Sequence, residues 1–372
     1  MTVEVHTVQT TARRVVAEYL GVKPGERFVV VVDARTDREI PDALAAAARD
    51  IGADPNVIAI EPLPRSGAEP PPDAALAMRT ADVVLCAAST SLYHTAAKAV
   101  AQRAGVRGDF NAPYRADAWR NGAMTADFFA IRQQAELLAA LWRGTREVQV
   151  TSPAGTDLRA TVTGREPVAW RTGICLAAGE VSALPGGEVS LPPLEGTAEG
   201  VVVWERVASD LGALDDPVRI EIRDGRAIGI QGGASAARLR DIVATVRDAD
   251  NIGEIGIGLN RAARIADEIT EAKKAYGTVH IALGDSANEY GGTVECDVHL
   301  DGLVMTPTIA FDGREVVVAG RHGRRRADDV DLARGGAAED PRGGDLTAGD
   351  DVLHRRVVEE RYQSLSYRAN ER

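Results

Sequence analysis

The chain has 372 residues and a formal net charge of −12, with 45% hydrophobic and 26% charged residues, which suits about two soluble globular domains. That acidic balance argues against nucleic acid as a partner, which asks for clustered Lys and Arg. No apolar run reaches the roughly 18 residues of a membrane span, no signal-peptide pattern opens the chain, and Cys86, Cys175 and Cys296 are too scattered for a disulfide framework, so a reduced cytoplasmic protein is expected.

Residues 1–145 read as a small Rossmann-like α/β domain. Thr11 to Leu20 is amphipathic, Phe28 to Val32 is a β-branched run suited to a parallel strand buried on both faces, and Ile40 to Gly52 is an alanine-rich helix stopped by glycine. Further strands are expected at Val57 to Ile60 and Ala81 to Ala87, with a helix between them. No GxGxxG or GxxxxGK pattern follows any strand, so nothing points to a nucleotide. Ser89 to Thr95 follows the carboxyl end of the third strand, where α/β sheets place ligands, and His94 there is a candidate acid or base. A helix over 127–144 closes this domain.

From Val148 the texture changes to short alternating segments with glycine turns: Val148 to Thr151, Leu158 to Thr163, Gly200 to Trp204, Val218 to Ile222 and Ala227 to Ile230. Ala234 to Asp248 is the clearest helix among them. Residues 146–320 therefore read as a larger, β-rich α/β domain. Residues 321–372 form a charged tail, basic at Arg321 to Arg326, then rich in Asp, Gly and Ala, with Val352 to Tyr367 able to form a terminal helix. His322 lies beside the arginines on a charge run read as solvated.

The chemistry concentrates in the second domain. Val298 and Leu300 alternate with His299 and Asp301, so the polar pair shares one face of a strand about 7 Å apart at the backbone, a gap one metal ion can close. His280 opens another apolar run. Glu188 follows a Pro-Gly-Gly turn, and Glu254 sits in a strand-like segment with Gly253, Gly256 and Gly258 that brings the backbone close to something. A buried glutamate needs a cation or a hydrogen-bond donor. Glu188, Glu254, His280, His299 and Asp301 make a hard O/N set suited to Zn, Mn, Co or Fe(II), and large enough for two ions.

In order and local context these five positions resemble the ligands of the M29 metallopeptidases, the aminopeptidase T family. The tyrosine that assists catalysis there falls on Ala287, and Tyr290 is the nearest phenol. The Tyr93-His94-Thr95 step and the compact frame are similar to the 2,5-dihydroxypyridine 5,6-dioxygenases, which hold one Fe(II), cleave an aromatic ring and carry a catalytic histidine at a place like His94. The first resemblance implies an aminopeptidase-like hydrolase with two divalent ions (Zn, Co or Mn), Glu254, Tyr290 and His94 aiding the chemistry, and a small metabolite or short peptide as substrate. The second implies a non-haem Fe(II) dioxygenase. A metal-binding protein without turnover is the third reading, and a homodimer is expected.

Overall fold

Phe28, Val30 and Val32 of the strand Arg27–Asp33 enter one apolar cluster, and Val29 and Val31 enter another on the opposite side. That two-sided burial is what the unbroken β-branched run requires. The computed structural model describes residues 6–169, 171–287 and 290–322. Around this strand runs a parallel sheet in the order Asp54–Ile60, Arg27–Asp33, Val83–Cys86, Arg107–Asp109 and Val181–Ser182. Its last strand comes from beyond residue 145. A two-residue strand has too little periodicity to announce itself in sequence.

The helix Glu39–Ile51 ends where Gly52 adopts φ 89°, the left-handed geometry glycine takes at low cost. Phe128–Trp142 begins at Asp127, whose carboxylate accepts from the N–H groups of Phe129 and Ala130. The expected helix near Thr11 runs as α-helix over Val8–Arg14 and then widens to a π-helical turn over Val15–Tyr19.

Two antiparallel sheets complete the body. One has eight strands, in the order Arg226–Gln231, Val218–Arg223, Glu199–Trp204, Asp157–Thr161, Glu147–Thr151, Thr308–Phe311, Arg314–Val318 and Arg321–His322. The other has six, in the order Gly212–Ala213, Val207–Ala208, His299–Val304, Val279–Gly284, Ile252–Gly258 and Glu188–Leu191. Val150, Val202, Trp204 and Ile220 of the first share one core with Ile255, Ile257, Ile281 and Leu300 of the second. Fully burying each such aliphatic side chain contributes about 1.5–3 kcal/mol. Gly302 matters here because a Cβ on it would lie 1.9 Å from the Trp204 ring. The six-stranded sheet thus has one face committed to the core and frees the other for chemistry. Arg321 and His322, expected to begin the charged tail over 321–372, instead pair with Arg314–Val318 as the last strand, because the ladder continues past Gly320. The rest of that tail and its helix at Val352 to Tyr367 lie outside the described residues.

Candidate metal centre

Residues directly opposite one another in an antiparallel pair share a face. In the six-stranded sheet Glu188 is opposite Gly258, Ser190 and His280 are opposite Gly256, Ala282 is opposite both Glu254 and Asp301, and His299 is opposite Gly284. All five candidate ligands therefore project from the face turned away from the core, on four neighbouring strands. Most of their row-mates are small, Leu303 opposite His280 being the exception. At Gly256 a Cβ would lie 2.1 Å from His280 Nε2, so the imidazole fills the space a side chain would take.

Glu188, Glu254 and His280 are fully buried and Asp301 nearly so, while the His299 side chain is 15% exposed and forms the wettest edge. His280 Nε2 lies 3.4 Å from Glu188 Oε2 and 3.5 Å from Glu254 Oε1. His299 Nε2 lies 2.8 Å from Glu254 Oε2 and 3.4 Å from Asp301 Oδ1. Its Nδ1–H donates to the Asp285 carbonyl at 2.9 Å, which fixes the ring and turns Nε2 toward the carboxylates. Glu254, His280 and Asp301 each bring one donor atom within 4.8 Å of the others. Among the described residues, Glu254 Oε1, Asp301 Oδ1 and both His280 nitrogens have no hydrogen-bond partner. Hard donors that are buried, convergent and unsatisfied are what a divalent ion requires, so the residues fit a metal.

The same face carries three cations that the sequence did not reveal. Lys273 Nζ lies 2.9 Å from Asp301 Oδ2 and 3.7 Å from Glu188 Oε2. Lys274 pairs closely with Glu188 Oε1, and Arg171 Nη1 lies 3.5 Å from that oxygen. Burial opposes ionisation of Glu188, yet the two lysines and His280 hold its carboxyl down at about 2. Burial likewise works against charge on Lys273, but Asp301, Glu188 and Glu254 raise its ammonium well above the ordinary lysine value. Lys274 is lowered to about 8 by burial despite Glu188. Burial lowers His299 as well, and it is outweighed by Tyr290, Asp301 and Glu254, which raise it well above the usual imidazole value.

Tyr290 stacks on His299 with ring centroids 4.7 Å apart and planes 8° apart, and its hydroxyl accepts from Arg171 Nη1 at 2.9 Å. Burial pushes that hydroxyl's pKa up although Arg171 opposes it. The structure thus brings Tyr290 to the cluster. His94 is exposed and stands edge-on to Tyr93 at 5.2 Å, and Tyr93 in turn lies 5.5 Å from the Arg171 guanidinium. That chain of contacts links His94 to the cluster. Cys296 is half-buried, and its thiol donates to the Arg247 carbonyl. Two shallow surface hollows, one lined by Arg27, Asp54 and Thr80 and one by Arg206, Ile265 and Asp267, contain none of these residues.

A buried histidine–carboxylate cluster on one face of a sheet, inside a mixed α/β body, belongs to metal-dependent enzymes. Residues 10–323 match the family described as 2,5-dihydroxypyridine 5,6-dioxygenase (NicX), and the chain belongs to that enzyme family. Among solved structures, the 2,5-dihydroxypyridine dioxygenase from Pseudomonas putida KT2440 superposes with a TM-score of 0.73 at 21% identity, over 86% of this chain and 97% of that one. Wild-type AmpT from Thermus thermophilus superposes with a TM-score of 0.63 at 16% identity, over 85% of this chain and 98% of that one. At these identities both are likenesses of fold. No curated protein matches the chain. No helix among the described residues is long and apolar enough to cross a membrane.

Proposed function

We propose that this chain is a mononuclear non-haem iron enzyme that opens the ring of a hydroxylated N-heteroaromatic compound with dioxygen. The observation that carries the reading is the seat of Lys273 between Asp301 and Glu188, which leaves one convergent set of donors for one ion. Two imidazoles with a carboxylate suit Fe(II) and leave positions open. His280, His299 and Asp301 would hold the ion, with Glu254, whose donor atom converges with those of His280 and Asp301, as a further ligand. Bound Fe(II) supplies the redox chemistry that lets dioxygen react with an electron-rich ring.

The remaining work falls to the chain. Glu254, whose carboxylate lies beside both imidazoles, is placed to take a proton from an acidic ring hydroxyl. Tyr290 covers one face of His299 and keeps water from it. Glu188, Glu254 and Asp301 are balanced by Lys273, Lys274 and Arg171, so a divalent ion adds uncompensated positive charge. That excess favours a substrate entering as an anion, such as a deprotonated hydroxypyridine, over a neutral peptide. The reading gives His94 no step.

The aminopeptidase-like hydrolase is the second reading, favoured by the presence of all five donors, Glu188 included, on one face. It requires a second ion to displace Lys273. The test is an oxygen electrode and a diode-array spectrometer on protein loaded anaerobically with Fe(II), against a panel of dihydroxylated pyridines. Zn-, Co- and Mn-loaded protein is run in parallel on aminoacyl amides. Oxygen uptake that tracks loss of ring absorbance is the expected result. Amine release without oxygen uptake would overturn the proposal in favour of the hydrolase.

A further inference from the structure

We infer that Lys273 is a built-in cation that takes the place of a second metal ion and limits this centre to one, an inference that rests on the single-ion reading above. Two-metal sites hold their ions about 3.5–4 Å apart with a carboxylate shared between them. On this sheet two carboxylates are placed to be shared: Glu254, whose two oxygens face His280 and His299, and, on the Lys273 side, Asp301. Asp301 Oδ1 faces His299 Nε2 at 3.4 Å, on the side of the donor cluster, and its Oδ2 meets Lys273 Nζ at 2.9 Å. The ammonium then reaches Glu188 Oε2 at 3.7 Å, on the strand at the far edge of the sheet, and so spans the two carboxylates a second ion would bridge.

Glu188 is closed to a newcomer from its other side too, since Lys274 and Arg171 both face Oε1. The arrangement is rigidly sourced. Lys273 directly follows the one-turn helix Ile269–Ala272, whose first turn is capped by Glu268, and its own N–H returns to the Ile269 carbonyl at 2.9 Å. Its side chain is 11% exposed and Glu188 is fully buried, so the ammonium has no wide solvent route by which to swing away. An ammonium offers three donors and one charge at a point where a metal would demand a set of oxygens around it. It satisfies the carboxylates without supplying a second Lewis acid.

The experiment is metal content per chain after equilibration with excess Zn(II) or Mn(II), measured by plasma mass spectrometry on wild type, K273A, K273M and K273R, with far-ultraviolet circular dichroism as the check on folding. Wild type and K273R should stop at one ion, and K273A and K273M should take two. In the Mn(II) form of these two variants, exchange coupling should reshape the isolated-ion electron paramagnetic resonance spectrum. Folded K273A and K273M that still stop at one ion would overturn the inference and leave the single-ion reading intact. A wild-type chain that takes two ions with Lys273 in place would overturn both, and that titration decides the matter even where a variant fails to fold.

Discussion

Gly256 shows how much of this site is settled by single side chains, including one that is missing. The imidazole of His280 lies where a methyl on Gly256 would be, so Gly256→Ala must push the ring off its position while leaving the strand's hydrogen bonds available. Metal affinity, measured by competition with a chromophoric chelator, should fall on the order of 10–100-fold, the range seen when support for a ligand is lost. Unchanged affinity would mean that His280 does not hold the ion. Arg171 is the other telling residue, since it braces Tyr290 and Glu188 at once. Arg171→Met removes one cation from a buried carboxylate that keeps Lys274, so urea unfolding should show a loss of about 3 kcal/mol, the low end for breaking a buried pair. His299 and Asp301 were legible in the sequence because polar residues at period two in an apolar strand have few structural uses, and Glu188, Glu254 and His280 stood out by their glycine-rich or apolar surroundings. Lys273, Lys274 and Arg171 were not, because adjacent lysines and lone arginines belong to solvated surfaces far more often than to buried faces. The one available signal was the position of the lysine pair, among small residues shortly before a fully buried strand.

At the scale of elements, strands buried on two faces and helices with glycine or aspartate caps were visible in sequence, and Arg27–Asp33, Glu39–Ile51 and Phe128–Trp142 formed as expected. The π-helical turn at Val15–Tyr19 and the strand Val181–Ser182 were invisible, since each depends on contacts from distant chain. One such contact is Arg107. Its guanidinium donates to the carbonyls of Leu20 and Gly21 past the end of that turn, and makes a two-pronged pair with Glu26 at 3.0 and 2.6 Å. Burial raises Glu26 somewhat, and the Arg107 bonds more than reverse this, leaving its carboxyl below the ordinary glutamate value of 4.5. A depressed acid stabilises the fold above its unfolded pKa and loses that contribution as pH falls through the folded one. Glu26→Gln should therefore cost about 1.5–3 kcal/mol at pH 7, the range for charge-assisted hydrogen bonds. The gap between variant and wild type in urea unfolding should narrow progressively below about pH 4.5. A gap independent of pH would show that the pair's charge contributes nothing.

For the whole molecule, the family match covers residues 10–323 and every candidate ligand precedes residue 302, so the centre is expected to form without the remaining segment. A chain ended after Gly323 should bind metal with the stoichiometry of the full chain and turn over the same substrate at a comparable rate. Loss of both on truncation would give the charged segment a direct part in the site. Overall architecture was readable as an α/β layer followed by β-rich chain, whereas the division of that β-rich part into a six-stranded face for chemistry and an eight-stranded cover was not. It arises from pairing between strands far apart in sequence, such as Glu188–Leu191 with Ile252–Gly258. The choice between ring opening and amide hydrolysis also belongs to this scale, because the fold is shared with both the 2,5-dihydroxypyridine dioxygenase and AmpT. The most direct test is mass spectrometry of the product formed under oxygen-18 gas in ordinary water by the Fe(II)-loaded protein. The account predicts a ring-opened product carrying both atoms of the labelled dioxygen. A product whose new oxygen comes from water alone would contradict it.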